Sequence, residues 1–78
     1  MSVIVYSTQT CPYCVIAKNY LKEKGIEFED INVNADEKKA KEMIEKSGQM
    51  GVPVLDINGK IIIGFDKKAI DEALGLKK

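Results

Sequence analysis

The chain reads as an α/β domain: a four-stranded mixed sheet flanked by three helices, in the order β-α-β-α-β-β-α. Three observations predict it. Apolar residues switch between strand and helix spacing along the 78 residues. Gly25, Gly48 and Gly64 fall where the periodic segments stop. Asn58-Gly59 joins two β-rich runs as a tight hairpin does. One βαβ unit followed by a helix and a hairpin makes the first strand pair parallel and the hairpin pair antiparallel, with helices on both faces. A chain of this length holds one core, so residues 1–78 are read as a single domain.

Val3-Ile4-Val5-Tyr6 is rich in strand formers, and Ser7-Thr8-Gln9-Thr10 breaks it with small polar residues. Pro12, with its fixed φ and missing N–H, suits a first helical turn. That helix runs to Lys24 and stops at Gly25, with Cys14, Ala17 and Leu21 on its apolar face and Ile16 and Tyr20 alongside. Ile26, Phe28, Ile31 and Val33 mark a second strand, and the alternation Glu27/Phe28/Glu29 gives it the wet face of an edge. Asn34, followed three residues later by Glu37, reads as a capping box for a helix that turns Ala40, Met43 and Ile44 inward and ends near Gly48. Val52 to Ile57 is the third strand and Lys60 to Ile63 the fourth. Gly64 ends it, and Asp66 caps a last helix carrying Ala69, Ile70, Ala73 and Leu74.

Composition removes several functions. Twelve lysines balance twelve acids for zero net charge, which gives nucleic acid no basic surface. Histidine is absent, so no Ser-His-Asp triad or Cys-His dyad can be built. The N-terminus has no secretory pattern, and Ile61-Ile62-Ile63 is far too short to span a bilayer. A cytoplasmic protein without nucleic-acid or membrane partners is the expectation.

The chemistry lies in Cys11-Pro12-Tyr13-Cys14, which holds both cysteines of the chain. A thiolate at a helix N-terminus meets unpaired N–H groups and the positive end of the dipole, which lower its pKa and make it a nucleophile. Cys14 lies one turn up the same helix, close enough for a disulfide. A bridge closing so short a loop constrains the unfolded chain weakly, so reactivity explains the pair better than stapling. Two thiolates without histidine cannot complete a zinc site. The junction also falls at the carboxyl end of a strand, where open α/β sheets bind ligands.

A CxxC opening a helix after the first strand resembles the thioredoxin-like oxidoreductases, and Cys-Pro-Tyr-Cys resembles the active site of glutaredoxins. The resemblance covers the whole chain, including Val52-Pro53 before the third strand and Gly64-Phe65-Asp66 after the fourth. It implies a thioredoxin-like fold and a glutathione-dependent thiol–disulfide oxidoreductase acting as a monomer. Glutathione would be the co-substrate, disulfide-bearing or glutathionylated proteins the partners, with a reductase system behind them and no metal. Cys11 would attack and Cys14 would resolve. Pro53 would carry a cis peptide bond facing the cysteines, and Val52 would offer its N–H and C=O to an extended substrate. Thr8, Tyr13, Phe65, Asp66 and Lys67 would complete the glutathione site, with Phe65 packed beside the cysteines.

Three positions depart from the glutaredoxin pattern. Thr8 stands where a lysine is common, Gly51 where threonine is frequent, and Asp66-Lys67 where two acidic or hydroxyl residues often end the turn. Gly64-Phe65-Asp66-Lys67 is also similar to the NrdH redoxins, which are glutaredoxin-like but are reduced by thioredoxin reductase and serve clients such as ribonucleotide reductase. A cluster-binding or adaptor domain is the third reading. Single residues carry alternatives too. Tyr13 is either exposed surface or a wall of the thiol pocket, and Pro53 on its own would read as opening an edge strand, a reading that the CxxC turns toward the cis-proline role. Lys67 and Lys68 oppose the helix dipole and either tolerate it or help the first-turn N–H groups hold a carboxylate.

Overall fold

Strand β1 (Val3–Ser7) lies inside the sheet and fixes the position of everything reactive. In the computed structural model, which describes residues 3–75, it is followed by α1 (Pro12–Glu23), β2 (Glu29–Asn32) and α2 (Glu37–Ser47). The hairpin β3 (Val54–Ile57) and β4 (Lys60–Ile63) comes next, and α3 (Lys67–Leu74) closes the order. The sheet runs β2-β1-β3-β4. β1 is parallel to β2 and antiparallel to β3, and β3 is antiparallel to β4. The expected element order and strand directions are therefore present.

Alternation along β1 sorts the core into two halves. Val3 and Val5 join Leu55, Ile57 and Ile62 under α1 and α3, which contribute Ala17, Leu21, Ile70 and Leu74. Tyr6 points the other way, with Ile31, Val33, Val54 and Met43 of α2. Helices thus cover both faces, and each fully buried aliphatic side chain stabilises the fold by about 1.5–3 kcal/mol.

Helix α1 stops as its sequence predicts. Gly25 takes a left-handed φ of 71°. The Ile26 N–H reaches back to the Leu21 carbonyl at 2.9 Å and the Gly25 N–H to that of Lys22 at 3.0 Å, satisfying carbonyls that the helix leaves open. Three boundaries differ from the sequence reading. The α2 cap is Asp36, not Asn34: its carboxylate accepts the Lys38 and Lys39 N–H groups at 3.1 and 3.2 Å, while the Asn34 N–H is turned to the Asn32 side chain. The second strand is confined to Glu29–Asn32, and Ile26 and Phe28 pack against the α1/α3 core as the chain approaches it. The third strand starts at Val54 rather than Val52, because Pro53 has no N–H to give a ladder.

Candidate active site

Register brings three distant segments to one end of the sheet. Tyr6 pairs with Val54, and Val54 with Ile63. The residues after β1, before β3 and after β4 must therefore emerge together at the carboxyl end of β1. These are Thr8 to Cys14, Gly51 to Pro53 and Gly64 to Asp66, which hold all the sequence-predicted site residues but Lys67, the next residue along. The Gly64 N–H donates to the Pro53 carbonyl at 2.8 Å and joins the second segment to the third.

Cys11 is the N-cap of α1, in extended conformation (φ −103°, ψ 106°), with Pro12 as the first helical residue. Pro12 has no N–H to satisfy, so the free first-turn donors begin one residue later. The Cys14 N–H donates to the Cys11 sulfur at 3.1 Å. The two sulfur atoms lie within disulfide-bonding distance, on Cα atoms 5.2 Å apart. Cys11 is half-buried and Cys14 has no exposed surface. Of the two sulfurs, Cys11 is the one open to solvent.

The Val52–Pro53 peptide bond is cis, as the resemblance implied. Val52 is half-buried, and its N–H and C=O have no partner among the described residues. Unpaired main-chain groups beside a dithiol suit a peptide-like ligand that adds itself as a strand.

The other predicted ligands are unevenly placed. Tyr13 is 63% exposed on the first turn of α1. Phe65 packs edge-to-face on Tyr20, with ring centroids 5.7 Å apart. With Ile16, Asn19 and Glu23 the pair lines a shallow groove along α1, on the turns that follow the cysteines. The Asp66 carboxylate caps α3, accepting the Ala69 N–H at 3.2 Å. Lys67 turns along its helix: its ammonium lies 3.2 Å from Asp71 and 5.6 Å from the Tyr20 ring centroid. The Asp71 hydrogen bond raises its pKa.

Thr8 lies on the opposite flank, in an open cleft of about 150 Å³ that it shares with Ser7, Gln9, Lys18, Asp30 and Asn32. Sequence reasoning missed this group. Ser7 is buried and donates to Asp30 at 2.9 Å, while Lys18 reaches Asp30 at 3.0 Å and the Ser7 hydroxyl at 3.4 Å. Burial alone would raise the Asp30 carboxyl; the Lys18 and Ser7 hydrogen bonds outweigh it and hold the pKa below its ordinary value. Lys18 could be seen one turn beyond Cys14, but its partner lies on another strand. Only the pairing of Val5 with Asp30 puts that carboxylate on the α1 face.

The glutaredoxin family model matches residues 3–62 of the chain. A glutaredoxin-like 8.6 kDa protein from a rubredoxin operon of Clostridium pasteurianum is 51% identical over 70 residues, 90% of this chain and 93% of that one. Glutaredoxin 3 of Escherichia coli K12 is 38% identical over 76 residues, 96% of this chain and 92% of its own. Among solved structures, the glutaredoxin of Archaeoglobus fulgidus superposes with a TM-score of 0.87 at 27% identity, covering 94% of this chain and 85% of that one. A buckwheat glutaredoxin–glutathione complex superposes at 0.74 with 25% identity, covering 94% and 69%. The sheet order and helix placement are those of the thioredoxin-like fold that these proteins share.

Proposed function

The chain belongs to the glutaredoxin family of thiol–disulfide oxidoreductases, and we propose that it uses glutathione to reduce glutathionylated proteins and protein disulfides. The observation that carries the reading is the unpartnered N–H and C=O of Val52 at the sheet end that holds Cys11. A γ-glutamyl tripeptide presents an extended backbone on both sides of its sulfur, so main-chain pairing at Val52 suits it. The similarity to Escherichia coli glutaredoxin 3 and to a glutaredoxin solved with glutathione supports the same ligand.

The cycle is thiol–disulfide exchange. The Cys11 thiolate attacks the glutathione sulfur of a mixed disulfide; that S–S bond breaks, and the substrate leaves as a thiolate that takes up a proton. The thiolate of a second glutathione then attacks the sulfur bound to Cys11, which gives oxidised glutathione and restores the Cys11 thiolate. With a protein disulfide, Cys11 forms the mixed disulfide and Cys14 gives up its proton and attacks the Cys11 sulfur. Reduced client departs, and an internal Cys11–Cys14 disulfide remains for glutathione to reduce. Tyr13, Val52, Pro53, Phe65 and Asp66 line the glutathione site, with Thr8 and Lys67 at its margins. The protein works as a monomer in the cytoplasm, where reduced thiols keep the pair cycling.

The second reading, an NrdH-like redoxin, has its own support. Thr8 brings no cation to the Cys11 segment, and Lys67 is committed to Asp71. NADPH consumption separates the two. Turnover is expected with glutathione and glutathione reductase and not with thioredoxin reductase. The reverse result makes this a redoxin and turns the Val52 segment into a docking edge for a protein donor.

A further inference from the structure

The segment between α2 and β3 is held by its own side chains. Gly48 caps α2 at φ 76°. The Ser47 hydroxyl lies 2.7 Å from the Met43 carbonyl and 3.0 Å from that of Gln49, and it accepts the Gln49 N–H at 3.4 Å. Gln49 is thereby moored to the last turn of the helix. Its half-buried side chain then closes on a single residue: Oε1 accepts the Gly51 N–H at 2.6 Å, and Nε2 donates to the Gly51 carbonyl at 3.0 Å. Met50, inside the ring so formed, is 77% exposed.

The Gly51 carbonyl and the Val52 N–H belong to one planar peptide unit. Fixing the carbonyl fixes the rotation of that plane, and with it the direction of the Val52 N–H. We propose that Gln49 is a positioning residue for substrate binding: by gripping both main-chain groups of Gly51, its carboxamide aims the Val52 peptide at the incoming ligand. Gly51 is part of the device. A Cβ there would stand 2.7 Å from Gln49 Oε1, so a side chain at position 51 would push the carboxamide off the Gly51 main chain. The inference deepens the glutathione reading and rests on it for the identity of the ligand. The clamp itself is independent of the electron donor.

The test compares Gln49→Ala, Gln49→Glu and Gly51→Ala with the wild type. Losing the clamp is expected to raise KM for a glutathionylated peptide about five- to tenfold, the range of one or two hydrogen bonds, and to leave kcat unchanged. The single-turnover rate of the reduced protein with hydroxyethyl disulfide in the absence of glutathione, where no peptide is present to pair, stays at the wild-type value. Gln49→Glu is the discriminating variant. It keeps the acceptor for the Gly51 N–H but loses the donor to the carbonyl, so KM rises while the Gly51 amide stays protected from hydrogen exchange. In Gln49→Ala that amide exchanges faster. Unchanged KM in Gln49→Ala, or equal slowing of both disulfides, overturns the proposal. If the wild type does not turn over with glutathione, the ligand reading falls alone. KM for a disulfide peptide under thioredoxin reductase then decides the clamp, an unchanged value in Gln49→Ala sinking it.

Discussion

Helices α1 and α2 cover opposite faces of the sheet, and each opens on a side chain that accepts hydrogen bonds from its own first turn. At α2 the acceptor is the Asp36 carboxylate. At α1 it is the Cys11 sulfur, facing the Cys14 N–H. The geometry is shared and the chemistry is not. A carboxylate is a strong acceptor of amide hydrogen bonds, so the α2 cap is a source of stability. A thiol is a weak acceptor and a thiolate a strong one, so the α1 cap strengthens when Cys11 ionises. The same kind of first-turn amide that meets a carboxylate at one helix meets a sulfur at the other.

Both helices are also moored to β1 by a lysine, on successive residues that point to opposite faces. Lys18 holds Ser7 and Asp30. Lys46 donates to the Tyr6 hydroxyl at 2.9 Å and to Asp56 at 2.7 Å, and Glu42 completes the group through Tyr6. The Asp56 and Tyr6 hydrogen bonds push the Lys46 pKa well above its ordinary value. The acid is the more enclosed at α2, with Asp56 13% exposed against 47% for Asp30, while the lysines run the other way, Lys46 30% against Lys18 21%.

The largest effect separates reactivity from capping. Cys11→Ser keeps a cap that helices favour but removes the nucleophile. Turnover falls to background, while the melting temperature matches or exceeds that of the reduced wild type; a large loss of stability would mean that Cys11 is structural. Next come the moorings. Lys46→Met leaves the Asp56 carboxylate without its cation, while the Tyr6 hydroxyl keeps Glu42, and is expected to cost about 1–3 kcal/mol in urea unfolding. Lys18→Met, whose acid is the more exposed, stays within about 1 kcal/mol. Equal losses would show that burial does not distinguish the two faces. Smallest is the inert cap: Asp36→Ala costs about 1 kcal/mol, with thiol–disulfide turnover at the wild-type rate.

Local chemistry was legible without the fold. The CxxC at a strand-to-helix junction, the Gly25 and Gly48 stops and the Asp66 cap are all settled by residues within one turn of each other, and each is found where the sequence puts it. The α2 cap was misread because Asn34 and Asp36 are both sound caps, and only the path of the chain out of β2 chooses between them. The placement of Lys67 escaped for a different reason. Its contact with the Tyr20 ring depends on α1 lying beside α3, which no local pattern announces.

By itself the sequence determined the cysteine pair at a helix start and the order of the elements, because helix periodicity and capping act over a few residues. The tertiary structure decided what surrounds the dithiol. Strand register carried Pro53 and Gly64 to the end of β1, set Asp30 on the α1 face beside Lys18, and left the Val52 peptide unpaired. Those outcomes depend on which residues pair across the sheet, and a shift of one position would turn every side chain of a strand to the other face.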